Sequence, residues 1–521
     1  MNLSSRVALC ATLTVVTVAP DAHATDVLTW HNDNARTGQN LTETQLTPSA
    51  VRMGGFGKLF SDRVKGYVYA QPLYRAAVAN IAGGTHDVVF VATEHDLVYA
   101  FDANAVGDPL WQVNLADASQ RERPVRSHDV ECTDLVPEIG ITSTPVIDAA
   151  TGTIYVVAKS KGALGVVQRL HALDITNGAE RPHFPVTIDA AVAGDGDGND
   201  GGMPPMVHFD PLREGQRAAL LLAGNVVYIA WASHCDVGPY HGWVIGYDET
   251  DGHQAMVFNA TPDGGLGGIW QSGGGLAADD DGNIYFETGN GTFDADMGGR
   301  DYGDSLVKIA PDGSVLDWFT ASDQQVLNDA DIDYGSGGPV LLPDQPMAPA
   351  HLVVTSGKEG TIFLGDRDDL GHFHGSDQVV QELFEEIGGT WSLPAFWNDV
   401  VYYGGSGDSL KAYPLTGGQL VTPPSSSAPD GFGFPGSTPS ISASGTSGAV
   451  LWALQTDGFM QGRPAILHAY DATDLTQELY RSDLGGSKQS PGGAVKFTVP
   501  TIADGKVFVG ARKRLSVYGL P

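Results

Sequence analysis

Histidines and runs of aspartate are the first side chains in this sequence whose spacing could do chemistry. His234 and His241 bracket Asp236, and imidazoles with a carboxylate can hold a transition-metal ion. No third ligand stands at a fixed interval, so the two histidines read as pocket-lining groups. The run Asp195-Gly196-Asp197-Gly198-Asn199-Asp200-Gly201 has the acid density of a calcium loop, but its sixth place is not Gly and its twelfth is not Glu. It reads as a flexible surface loop, and Asp279-Asp280-Asp281-Gly282-Asn283 reads as a hairpin turn. Gly-x-Ser-x-Gly, His-Glu-x-x-His and phosphate-loop patterns are missing, which leaves hydrolase and nucleotide chemistry without a motif.

The cysteines follow from export. Residues 1–24 combine Arg6, an apolar stretch from Val7 to Ala19 and the small-x-small ending Ala22-His23-Ala24, the signature of a cleaved signal peptide. The expected location is therefore periplasmic or secreted. Cleavage removes Cys10 and leaves Cys132 and Cys235, an even pair in an oxidising compartment, for which a disulfide is expected. There is no Cys-x-x-Cys-His, so no covalent haem c is expected. No later segment has the run of apolar residues that a membrane span requires.

The elements that must position any site are strands. With 62 acidic against 29 basic residues the formal charge is −33, which excludes nucleic acid as a natural partner. Gly makes up 67 of 521 residues, too many for a helical bundle, while 42% hydrophobic content is too much for a disordered chain. A strand closing on Asp recurs, as in Leu97–Asp102, Leu170–Asp174 and Trp243–Asp248, with variant copies at 306–312, 362–366, 410–415, 467–471 and 515–518. Before each lies a β-branched or aromatic run such as Val88-Val89-Phe90-Val91, and before several of those a Pro-led strand such as Thr144-Pro145-Val146-Ile147. Short strands separated by Asp-Gly and Asn-Gly turns predict four antiparallel strands per unit. Eight such units at about 60 residues each predict an all-β fold, a single eight-bladed β-propeller. The expected organisation is a signal peptide over 1–24, an N-terminal arm over 25–55 lying against the rim, and a propeller over 56–521 closed by a segment near Phe56–Phe60 joining the last blade.

From Gln71 to Tyr518 the repeats resemble those of the quinoprotein alcohol dehydrogenase-like superfamily, whose members carry pyrroloquinoline quinone (PQQ) repeats. The resemblance implies a set of site residues. Trp270, upstream of Glu287-Thr288-Gly289-Asn290, matches the indole that floors the cofactor, and Asn290 the neutral oxygen ligand to calcium. Asp236, in Ser233-His234-Cys235-Asp236, stands nearest the family's carboxylate ligand, usually Glu. Asp331 and Asp333, before Gly338-Pro339-Val340-Leu341, occupy the place of the catalytic Asp; the family's Trp-Asp pair is missing, and Asp333 ranks above Asp331 by its distance to that strand. Asp333 is also placed among the metal ligands. Lys358, in Ser356-Gly357-Lys358-Glu359-Gly360-Thr361, matches the cation beside the quinone oxygens. Thr390 and Trp391 match the Asn-Trp pair beside the cofactor, with Thr in place of Asn. The family's disulfide between adjacent cysteines is absent.

The implied activity is an exported dehydrogenase, dependent on PQQ and Ca²⁺, that oxidises the hydroxyl of a small or polymeric alcohol, polyol or sugar and passes electrons to a separate acceptor. Two alternatives stand beside it: a propeller scaffold without cofactor, and a carbohydrate-active lyase or hydrolase using paired carboxylates or His234 with Tyr240.

Overall fold

The computed structural model describes residues 26–521. The expected signal peptide and Cys10 lie outside the described residues. Eight sheets follow one another along the chain, built from residues 73–114, 146–187, 221–259, 277–320, 340–383, 395–432, 440–481 and 501–519. The last is completed from the other end of the chain. Strand Gly57–Tyr67 pairs antiparallel with Lys506–Gly519, placing Gly57 opposite Gly519 and Lys58 opposite Tyr518, and so closes the ring. The eight-bladed all-β propeller expected from the repeats is the observed fold.

The recurrent Asp has a plain mechanical role. Asp102, Asp174, Asp248, Asp366 and Asp471 each accept, through one carboxylate oxygen, the backbone N–H two residues on, at 2.8–3.0 Å. Such a side-chain turn ends a strand and starts the next hairpin. Between these turns the strands are apolar on both faces, because each blade packs against two others. Tyr155 and Leu170 of the second blade share one core cluster with Ile229, Trp231 and Trp243 of the third.

The first part of the arm, residues 26–40, does not lie against the rim but runs inside the ring and bonds the first strand of every blade in order. The short helix Pro48–Met53, by contrast, packs on strands Ser447–Gln455, Ile466–Asp471 and Asp474–Arg481 of the seventh blade. Val27 exchanges two 2.9 Å backbone hydrogen bonds with Tyr74, and the Leu28 carbonyl accepts from the Ile147 N–H. Asn34 donates to the Leu222 carbonyl, and its own carbonyl accepts from Ala278. The carbonyls of Ala35, Thr37 and Gly38 then accept from Leu341, Phe396 and Ile441, and Asn40 donates to the carbonyl of Ile502. Gln39–Asn40 adds a short parallel strand to the seventh blade.

Arg36 anchors this path. It is fully buried, and its guanidinium donates to Thr29 Oγ1 and to the carbonyls of Trp30, Asp33, Leu220 and Leu276 at 2.7–3.4 Å. A Cβ at Gly275 would come within 2.7 Å of that guanidinium, so only glycine leaves room for it. A backbone segment with no strand partner of its own must place its N–H and C=O groups somewhere. Here they satisfy the inner edges of the sheets.

Candidate functional site

The segments leading into the first strands of several blades converge on one face of the ring. Trp270 precedes strand Ala277–Ala278, Asp333 precedes Val340–Leu341, and Trp391 precedes Ala395–Trp397. A cavity of about 340 Å³ there is lined by Asp236, Trp270, Asp333, Lys358 and Trp391, with Arg217, Asp134, Tyr240, Lys496 and Phe497 among the remaining walls. The arm closes the space beneath, where Trp30 borders a smaller cavity together with Arg217 and Phe497.

Asp333 sits at the centre and is 9% exposed. Its Oδ1 accepts the Asn290 N–H at 2.8 Å, and its Oδ2 lies 2.6 Å from Lys358 Nζ. A Cβ at Gly289 would stand 2.4 Å from Asp333 Oδ1, so glycine there lets the carboxylate approach the Asn290 backbone. Burial pushes the Asp333 carboxyl above its ordinary value, and Lys358 offsets that only in part. Burial pulls Lys358 the other way, but its two acidic neighbours prevail and its pKa is raised. The ammonium also donates to Oδ1 and the carbonyl of Asp331, at 2.9 and 3.0 Å. Asp331 itself has a side chain 74% exposed, which places it at the mouth rather than in the cavity wall.

Oxygen-bearing side chains flank Asp333. Asn290 gives its Nδ2 to Asp331 Oδ1 at 2.9 Å, while its own Oδ1 is buried without a partner. Asp236 Oδ1 accepts from Tyr240 at 2.7 Å and from Ser233 at 3.0 Å. Burial and the charge of Asp236 push the Tyr240 phenol well up, so it stays a hydrogen-bond donor. Two carboxylates and an orphaned amide oxygen are a donor set for a hard divalent cation.

Thr390 is fully buried behind the wall. Its hydroxyl donates to the carbonyls of Ser356 and Gly357 at 2.7 and 3.1 Å, which braces the turn that carries Lys358. His234 and His241 do not line the cavity, contrary to expectation. His234 Nε2 meets the buried Lys159 ammonium at 2.7 Å, and His241 bonds the carbonyls of Thr261 and Asp197. Burial takes the pKa of both imidazoles down.

The expected disulfide is present. Cys132 and Cys235, Cα atoms 5.7 Å apart, tie the loop after the first blade to the loop that carries Asp236. Several residues in and beside the cavity wall are in the left-handed region. Cys235, Asp236, Gln271, Ser272, Asp331 and Phe497 all have positive φ, between 41° and 65°. Each such residue costs on the order of 1–3 kcal/mol, and persists only where the surroundings enforce it.

Three charged groups escaped the sequence reading. Arg217 lies over two rings, 5.2 Å from the centroid of Trp270 and 4.8 Å from that of Phe497. Its Nη1 pairs with Asp134 Oδ2 at 2.7 Å, and its Nη2 is buried without a partner. Lys496 pairs with the other oxygen of Asp134. Burial raises the Asp134 carboxyl, but Arg217 and Lys496 outweigh it and hold the pKa at about 2. Burial and Arg217 bring Lys496 down to about 8. The signal available was a basic residue just before an apolar strand, as in Gln216-Arg217-Ala218, but nothing local says which cation turns inward.

No protein-family model and no curated protein matches the sequence. Solved structures do. The quinohemoprotein alcohol dehydrogenase ADHIIG of Pseudomonas putida HK5 superposes with a TM-score of 0.64 at 15% identity, over 95% of this chain and 80% of that one. A quinohemoprotein alcohol dehydrogenase from Comamonas testosteroni gives 0.62 at 15% identity over 95% and 80%. A europium-containing methanol dehydrogenase gives 0.62 at 14% identity over 95% and 98%. The chain thus shares the eight-bladed fold of the quinoprotein dehydrogenases.

Proposed function

We propose that this propeller is an exported dehydrogenase that uses PQQ and Ca²⁺ to oxidise the hydroxyl of an alcohol, polyol or sugar, and that hands the electrons to a separate acceptor. The observation that carries the reading is the convergence of Asp236, Asp333, Trp270, Arg217 and Lys358 on one cavity, with Asn290 bonded to Asp333 behind its wall. The residues fit both groups. Asp236, Asn290 and Asp333 would hold the cation through oxygen, and the unpartnered Asn290 Oδ1 is a buried acceptor in want of a positive charge. Trp270 offers a flat face for a planar tricycle, while Lys358 and the free Nη2 of Arg217 offer positive charge to its carboxylates and carbonyl oxygens. When bound, the quinone and its calcium supply a two-electron acceptor that no amino-acid side chain provides.

The chain's own residues handle the proton. Asp333 is the general base: burial raises its proton affinity toward that of the hydroxyl proton it must take. The Asn290 N–H fixes its Oδ1 and directs its Oδ2 into the cavity, where Lys358 stands. Asp331 at the mouth holds the Lys358 ammonium over the site. Phe497 and Trp391 exclude water from the walls, which strengthens every charge interaction inside.

The test is reconstitution of the apo-protein with PQQ and Ca²⁺. The expected result is quenching of tryptophan fluorescence on cofactor binding and reduction of an artificial dye with an alcohol panel. Absence of both would overturn the reading.

A further inference from the structure

The space does not end at Lys496. A second cavity of about 570 Å³ adjoins the first and shares Asp134, Cys235, Phe434 and Lys496 with it. Its further walls are Tyr67, Tyr69, Phe459, Met460 and Arg512. These come from the last two blades and from the chain just before the first, so ring closure itself builds the groove. A small alcohol at Asp333 would leave this larger space as water against aromatic rings, and that wastes the burial those rings can supply.

The charges are unequal across the two cavities. Arg217 and Lys496 are both engaged with Asp134. Arg512 is not engaged with any acid. Its Nε donates to the Ala494 carbonyl at 3.0 Å, its Nη2 donates to the Phe459 carbonyl, and its guanidinium lies 5.0 Å from the Tyr67 centroid. No carboxylate lies within ion-pair distance of it among the described residues. In a chain of net charge −33, an anion is repelled everywhere except where a local cation outweighs the field. Arg512 at the end of an aromatic groove is such a place. The groove is open at its rim, where Met460 is 78% and Phe434 41% exposed, so a long ligand can enter from solvent.

We propose that the second cavity is the substrate's distal subsite and that the substrate is a bulky hydroxy acid. Its aromatic or aliphatic body lies on Tyr67, Phe434 and Phe459, its carboxylate pairs with Arg512, and its hydroxyl reaches Asp333. The assignment rests on the dehydrogenase reading for the hydroxyl end only.

The test measures binding to the apo-protein by calorimetry, with 4-(hydroxymethyl)benzoate and benzyl alcohol as probes. The expected result is that the carboxylate probe binds at least ~10-fold more tightly than the neutral one, the worth of one charge-assisted contact. Arg512→Gln removes that preference, and Met460→Trp, which fills the exposed rim without touching the core, weakens both probes. Equal affinity for the two probes, or affinities that neither variant changes, overturns the subsite. Turnover by the PQQ- and Ca²⁺-loaded protein separates the two readings. Preferential binding without oxidation of any alcohol sinks the dehydrogenase and leaves the anionic subsite standing. Oxidation of ethanol without preferential binding does the reverse.

Discussion

Glu94→Gln is expected to stabilise this protein at pH 9 and not at pH 5. Glu94 is fully buried just after the strand Gly84–Thr93, and its Oε2 accepts the Gly140 N–H at 2.7 Å and the Thr142 hydroxyl at 3.1 Å. Its Oε1 has no partner. Burial pushes the carboxyl from 4.5 to about 8, against the opposing effect of those two donors. Below the lower value both folded and unfolded chains hold the proton, and ionisation costs the fold nothing. As pH rises from 4.5 toward 8 the unfolded chain releases the proton while the folded one keeps it, so stability is lost across that window. Each pH unit costs about 1.4 kcal/mol, and the whole interval about 4–5 kcal/mol. Gln keeps an acceptor for Gly140 and cannot ionise. Whatever its extra N–H costs is the same at both pH values and cancels in the comparison. Asp96, also fully buried and also raised, with one carboxylate oxygen unpartnered, lies close enough to respond, which makes the figure an upper bound. The assay is urea unfolding of both proteins at pH 5 and pH 9, followed by tryptophan fluorescence. A variant advantage that differs by less than about 1 kcal/mol between the two pH values would show that Glu94 ionises as an ordinary carboxyl, and the argument from burial fails.

Asp333→Asn is expected to lower kcat by about 10²–10⁴ while cofactor still quenches tryptophan fluorescence; unchanged kcat in dye reduction would remove Asp333 as the base. Arg36→Met leaves four buried acceptors without the guanidinium that serves them, and at about 1 kcal/mol or more each should lower the thermal midpoint by many degrees. A midpoint within a degree or two of wild type would mean the arm is held by its backbone bonds alone. Cys132→Ser with Cys235→Ser removes a bridge across 103 positions, worth about 2–4 kcal/mol. It should also weaken Ca²⁺ binding by freeing the loop of Asp236, which calcium titration of the reconstituted protein would read.

The ring was legible because its signal is local and repeated. Most blades announce a hairpin through an Asp that bonds two residues ahead, and a strand through β-branched runs such as Val88-Val89-Phe90-Val91. The site was legible only in part. Trp270, Asp333, Lys358, Trp391 and Asp236 each sit in a short segment with its own character, and all five line one cavity. Arg217, Lys496 and Asp134 carry no such mark. They lie far apart in the chain and meet only in the folded ring, Lys496 because the eighth blade returns to the first. Thr390 shows the opposite failing: its position followed from the neighbouring Trp391, but its hydroxyl went to carbonyls behind the wall. The arm was illegible for a physical reason, since its bonds are made by backbone groups and by single polar side chains, which leave no period in the sequence.

The path of that arm also bears on how the protein folds. Asn40 finds its carbonyl on Ile502, 462 positions away, after its neighbours have found theirs on each blade between. Its seat does not exist until the innermost strand of the eighth blade has formed. The earliest-synthesised of the described residues are therefore among the last to settle. Contacts of such long sequence separation make folding slow, because the closure entropy is spent before the contact repays it.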